Sequence, residues 1–259
     1  MDTYFVVLAA VLGLIFGSFA TAVAYRVPRH ESIVSGRSRC PDCGATVTAL
    51  ENVPVFSWLF LRGKCRHCGK RISVRYPLIE LATAVLFALA EWKFGVSLRA
   101  VAFAAFFWVL VVLTVIDLEH KLLPSRIIYP SIVAGAALLT ADALIEGEPG
   151  RLVRAGVGSL IFGVFFFAIA FLVPQGMGMG DVRFAYLLGM FLGDIGGIGV
   201  VLVGMFLSFL SGGIIGGIAA AATRGGRKMK IPFGPFLAFG TVLAVFVGRP
   251  LLDAYLGTF

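Results

Sequence analysis

Cys40-Pro41-Asp42-Cys43 and Cys65-Arg66-His67-Cys68 contain all four cysteines of the chain, with 21 residues between the pairs. Two C-x-x-C pairs bring four thiolates together, a set that suits tetrahedral zinc; the gap lies just beyond the roughly 15–20 residues common in zinc-ribbon patterns. Such a closed site folds a small domain and does no catalysis, because protein occupies every position around the metal. The competing arrangement is a pair of disulfides, which a reducing cytoplasm disfavours. His67 is read as an ordinary loop residue.

The second set is acidic. Asp117 ends one apolar run, and Asp181 starts another, after Gly176-Met177-Gly178-Met179-Gly180. Two carboxylates that share a proton form a dyad in which one takes a proton from water while the other donates to the carbonyl under attack. That is the chemistry of aspartic peptide hydrolysis. Glycines at 176, 178 and 180 permit positive φ and close approach of a second backbone, as an extended substrate strand would need. The plainer readings are that Asp181 caps a helix and Asp117 is solvated at the interface. Glu80 and Glu119 rank as supporting acids. Asp142, Glu146, Glu148, Asp194 and Asp253 are placed on or near the outer face, with no role in the pair.

The elements that must position these groups are apolar. Runs cover residues 3–25, 78–94, 100–116, 127–145, 155–173, 182–192, 195–222 and 235–255. A span needs roughly 20 apolar residues, so these predict about eight crossings, or seven if the short 182–192 run joins its successor through Gly193-Asp194. The first run is too long for the apolar part of a signal peptide and starts with Asp2, so it is read as a retained span. Gly212 with Gly216, and Gly213 with Gly217, have the spacing that lets lipid-embedded helices approach closely. Pro232 and Pro235 suit entry into the last helix. The expected fold is all-α and polytopic: a first span at 1–25, a zinc-binding cytoplasmic loop domain at 26–76, and a membrane core at 77–259.

Composition agrees, since 59% of the 259 residues are hydrophobic and only 14% are charged. A water-soluble domain carries roughly 25% charged residues. The net charge of +8 is confined to connecting segments, so the lipid bilayer, and not nucleic acid, is the expected partner. With the amino terminus outside, 17 of the 22 Lys and Arg fall on the inner side, including Arg224, Arg227, Lys228 and Lys230. The cytoplasmic side collects such residues, which puts the cysteine segment and both aspartates at the cytoplasmic side. The loop's excess of basic residues suits anionic head groups.

These motifs, in order, resemble the type IV prepilin peptidases. The resemblance rests on Gly17-Ser18-Phe19, Tyr25-Arg26-Val27-Pro28, both cysteine pairs, the run from Glu51 through Leu59, Leu61-Arg62-Gly63-Lys64-Cys65 and the run from Ile72 to Glu80. It continues with Asp117, Leu123-Pro124, Gly178-Met179-Gly180-Asp181 and the run from Ile231 to Ala238. Two departures stand out: Thr21, where the family has Asn, and Arg183, where Lys is usual. The resemblance implies an intramembrane aspartic endopeptidase of the GxGD type in the bacterial inner membrane. Its catalytic residues would be Asp117 and Asp181, and its structural zinc would be bound by Cys40, Cys43, Cys65 and Cys68. It further implies a prepilin or pseudopilin precursor as substrate, from a type IV pilus or type II secretion system. Methylation of the new amino terminus would use S-adenosylmethionine.

Two finer expectations follow from charge. Asp117 at a helix carboxyl end and Asp181 at a helix amino end imply that Asp181 is the base and Asp117 the acid. Recognition of a basic leader is expected to use specific acids, Glu51 and Glu119, because the loop itself is basic. Against the enzyme stand a proton-coupled transporter using the same two acids, and a non-catalytic assembly scaffold. A carrier tends to hold its acids near the bilayer midplane, whereas Asp117 and Asp181 lie at span ends.

Overall fold

The computed structural model describes residues 3–33, 37–173, 177–222 and 232–257. Gly176 and Ile231, and the basic residues Arg224, Arg227, Lys228 and Lys230, lie outside these. Helices account for the fold: α1 (Thr3–Arg26), α2 (Phe56–Phe60), α3 (Arg75–Phe94), α4 (Leu98–His120), α5 (Ser125–Ile145), α6 (Gly150–Leu172), α7 (Met179–Ala222) and α8 (Gly234–Leu256). Among the described residues the only β-structure is two isolated bridges, Arg39 with Thr46 and Lys64 with Arg71.

Six of these helices are long and apolar enough to cross a membrane: α1, α4, α5, α6, α7 and α8. The other two predicted runs are present as well. Helix α3 has 20 residues but carries Arg75, Glu80, Glu91 and Lys93. The runs 182–192 and 195–222 form the two parts of α7, whose helical geometry breaks at Gly196 (φ −154°, ψ 18°) and Gly197 (φ 65°, ψ −152°). The break falls just after the predicted Gly193-Asp194, because Gly197 takes a conformation that a residue with Cβ rarely adopts. Large apolar side chains such as Val133, Phe171 and Ile218 are exposed along these spans, as expected where the surrounding solvent is lipid.

The chain divides into two compact units, Met1–Val112 and Leu113–Phe259, with α4 running through the boundary. In the first, α1 packs along α3. A Cβ on Gly17 would come 2.6 Å from Glu80 Cα, so glycine there sets the helix spacing. Trp108 of α4 donates its indole N–H to Phe16 O at 2.8 Å and stacks on Phe19.

In the second unit, α7 packs against both α6 and α8. The core is aromatic, with Phe162, Phe166, Phe184 and Phe191 fully buried. Backbone contact between α6 and α7 centres on Gly158 and Gly189, each of which would drive a Cβ into the other's carbonyl. Gly213 and Gly217, predicted to pack, face open space, whereas Gly212 meets Phe233 and Phe236. Pro235 occupies the first turn of α8, where its missing N–H leaves no bond unmade.

Candidate active site and metal centre

The two cysteine pairs form two copies of one local structure. In each, the first cysteine N–H donates to a carbonyl five residues on, Cys40 to Ala45 and Cys65 to Lys70, and the glycine after the second cysteine donates back to the first. Gly44 and Gly69 both take φ near +70°, which glycine permits at no steric cost. The bridges 39–46 and 64–71 flank the two pairs at equivalent positions. Lys70 of one copy pairs with Asp42 of the other at 2.6 Å, and this carboxylate holds the Lys70 ammonium above its usual range.

The four sulfurs all lie within 4.8 Å of one another, with Cys40 Sγ 3.9 Å from Cys68 Sγ. Four zinc–thiolate bonds of about 2.3 Å in a tetrahedron place sulfurs about 3.8 Å apart, so this cluster can hold a metal ion. Backbone N–H groups of Cys43 and Asp42 bring the Cys40 thiol down to about 7. Nearby, Thr48 and Glu51 cap a short turn reciprocally: Thr48 N–H donates to Glu51 Oε2 at 2.9 Å, and Glu51 N–H to Thr48 Oγ1 at 3.4 Å. The Thr48 bonds hold the Glu51 carboxyl below its usual range. Glu51 therefore serves this turn and also pairs with Arg66 at 3.7 Å.

Glu80 has a role that the sequence did not suggest. Its Oε2 accepts the Val55 N–H at 2.7 Å. Val55 has φ 62° and ψ −52°, an outlier for a β-branched residue, and the buried carboxylate secures it. Glu119 lies in the last turn of α4 beside His120.

The two aspartates belong to the second unit. Asp117, in the last turn of α4, is 4% exposed, and its Oδ2 accepts the Gly234 N–H at 2.9 Å. Asp181, half-buried in the first turn of α7, accepts the Gly178 N–H on its own Oδ2 at 3.2 Å. The capping role weighed for Asp181 is thus realised. The two carboxyls lie within electrostatic reach of each other. Leu123 packs on the glycines next to this pair: a Cβ on Gly180 would come 2.9 Å from Leu123 Cβ, and one on Gly234 3.3 Å from Leu123 Cδ2. Arg183, two residues after Asp181, donates to Ser125 Oγ at the start of α5.

Two expectations about this region change. Gly178 and Gly180 are not among the positive-φ glycines; Gly180 serves close approach. Asp117 ends α4, but its carboxyl faces the amino end of α8 through Gly234, so the helix-dipole contrast drawn between the two acids does not hold. Each carboxyl meets a helix amino end, where negative charge is favoured, and they differ instead in access to water.

Asp142 and Asp194, assigned no role from the sequence, join a buried cluster with Arg151. The Arg151 guanidinium meets Asp194 through Nε at 2.9 Å and Nη2 at 3.2 Å, and Asp142 Oδ2 lies 2.8 Å from Nη2. All three are at most 3% exposed. The available signal was Asp194 itself, a charge inside an apolar run, which is costly in a membrane unless paired.

A polytopic helical protein with two buried or half-buried carboxyls at span ends and a four-cysteine cluster thus emerges from the fold. Residues 11–94 match the Bacterial Peptidase A24 N-terminal domain, and residues 104–220 match the Type IV leader peptidase family. The chain is 35% identical to a prepilin leader peptidase/N-methyltransferase of Bacillus subtilis, over 95% of this chain and 96% of that protein. Proteins of the same name from Myxococcus xanthus and Pseudomonas aeruginosa are 39% and 32% identical; the alignments cover 87% and 97% of this chain, and 67% and 93% of those proteins. No solved structure matches the chain. The chain belongs to the type IV leader peptidase family.

Proposed function

We infer that this protein is a membrane-embedded aspartic endopeptidase that removes the basic leader of type IV prepilins or pseudopilins, and an N-methyltransferase that modifies the new amino terminus. The observation that supports the reading is that Asp117 and Asp181, at the ends of two spans, lie within electrostatic reach of each other and each accept a backbone N–H. In this mechanism the pair shares one proton. Asp181, the carboxyl that water reaches, takes a proton from the attacking water. Asp117, held by Gly234, donates to the scissile carbonyl oxygen, and the dyad then passes a proton to the leaving amine. Placement at span ends supports hydrolysis over transport, since a carrier tends to hold its acids near the midplane.

The distribution of Lys and Arg supports an inner-membrane orientation with the amino terminus outside and the cysteine loop in the cytoplasm. A precursor would then present its leader on the same side as the aspartates. Zinc suits the soft thiolate donors of Cys40, Cys43, Cys65 and Cys68 and would brace the 26–76 segment. S-adenosylmethionine supplies the methyl group in the second reaction.

Purified protein in detergent, mixed with a precursor and the methyl donor, should yield a product whose mass lacks the leader and then gains one methyl group. Wild type is compared with Asp117→Asn and Asp181→Asn; cleavage by either variant at the wild-type rate rejects the dyad. Metal analysis of the same preparation should find one zinc per chain, lost in a Cys40→Ser/Cys65→Ser variant.

A further inference from the structure

Residues 179–195 form a half-helix with Asp181 at one end and Asp194 at the other, followed by the break at Gly196 and Gly197. Beyond that break, residues 198–222 touch this half where Gly204 lies on the Leu192 side chain. Helix α5 packs on it where Gly135 meets Met190 and Phe191, and the more extensive contact is with α6. Gly158 meets Gly189 backbone to backbone, Gly193 lies on the Arg154 carbonyl, Gly163 lies on the Tyr186 ring, and Ser159 Oγ donates to Tyr186 O at 2.8 Å. Glycine contacts permit close approach, but smooth surfaces give little resistance to sliding along the axis. Directional contacts resist it at both ends: Arg183 donates to Ser125 Oγ near Asp181, and at the far end the buried Arg151 fork grips both Asp194 oxygens.

We propose that Arg151 and Asp194 clamp this half-helix against α6 and thereby set the position of Asp181 relative to Asp117, making Arg151 a positioning residue for peptide hydrolysis. A buried ion pair is weak as a source of stability, because desolvation offsets the attraction, but its directional geometry selects one register. Arg151 divides its bonds accordingly. Asp194 receives two hydrogen bonds, while Asp142 Oδ2 receives charge without hydrogen-bond geometry. Glu148 is 4.0 Å away and solvent-exposed, and the aliphatic stems of Arg154 and Arg249 lie over Gly197 and Gly196. The helix transmits displacement: 13 residues at about 1.5 Å each carry a shift at Asp194 some 20 Å to Asp181. A misplacement of about 1 Å at a reacting group can lower a rate about 100-fold.

The inference rests on the reading of Asp181 as a reacting group. It is tested with full-length Arg151→Met, Arg151→Lys and Asp194→Asn in detergent, scored per folded molecule by circular dichroism and gel filtration. The expected result for Arg151→Met is a kcat lowered about 10- to 100-fold with KM within about twofold, partial recovery in Arg151→Lys, and a displaced pH profile of kcat because the spacing of the dyad has changed. If Arg151→Met does not fold, Asp194→Asn, which keeps shape and loses the charged fork, should show the same split to a lesser degree. A lowered melting temperature with wild-type kcat and pH profile overturns the clamp. Loss of cleavage in Asp181→Asn beside wild-type kcat in the clamp variants rejects the clamp alone; cleavage in Asp181→Asn rejects the site reading itself.

Discussion

Asp181 and Asp194 lie 13 residues apart on one half-helix, yet one accepts a glycine amide within electrostatic reach of another carboxyl, while the other is buried against an arginine. At the Asp194 end a cation matches the charge and fork geometry fixes direction. At the Asp181 end, among the described residues, backbone dipoles and a second acid are the partners of the pair. The difference separates two uses of the same residue type. A carboxylate satisfied by guanidinium is a strut, with little reason to take up a proton. A carboxylate satisfied only by N–H groups and by a proton shared with its neighbour can pass that proton on.

The comparison breaks most severely at the dyad. Asp117→Asn or Asp181→Asn removes an acid–base group, and kcat for cleavage should fall about 10³-fold or more, near the upper range for general acid–base catalysis, with the fold intact by circular dichroism. A product mass appearing at comparable rate would make these aspartates struts as well. A smaller effect comes from Gly234→Ala. The helical backbone accepts alanine there, but the new Cβ would lie 2.7 Å from Asp117 Oδ2. The carboxyl must move, so kcat should fall about 10-fold through misplacement while the melting temperature barely changes. Progress curves by mass spectrometry beside a thermal melt distinguish this from general damage.

How much of this was legible follows from the range of the contacts. Each cysteine pair closes within six residues, so its spacing announced the cluster, although the repeat of the eight-residue pattern Arg39–Thr46 as Lys64–Arg71, 25 positions on, was not evident from spacing alone. Span ends were legible from apolar runs, and these placed Asp117 and Asp181 at helix termini. Their partners were not legible. Gly234 is 117 positions from Asp117, and nothing local says that the amino end of α8 reaches the carboxyl end of α4. Distance in sequence also hid the Arg151 cluster, 43 positions from Asp194, and the grip of Glu80 on Val55. The same limit affected the glycines. Spacing by four marks helices able to approach, yet it cannot name the partner, so Gly213 and Gly217 were favoured while the contact is made by Gly158 and Gly189.

The smallest expected effect sharpens the comparison from the strut side. Three charges are buried together, two negative and one positive, so the members are not equivalent. Removing Arg151 leaves two facing carboxylates without their cation. Removing the charge of Asp142 leaves a one-to-one pair whose fork is unchanged. Breaking a buried pair by deleting its sole counter-charge costs about 3–5 kcal/mol, but Asp142→Asn deletes a surplus charge and keeps the side-chain shape. Stability should therefore change by less than about 1 kcal/mol, in keeping with a group not left uncompensated, and kcat should stay within about threefold because the register set by Asp194 survives. Denaturant unfolding and initial rates measure both quantities. A loss as large as that of Arg151→Met would mean that Asp142 shares the grip equally and that the clamp draws on α5 as much as on α6.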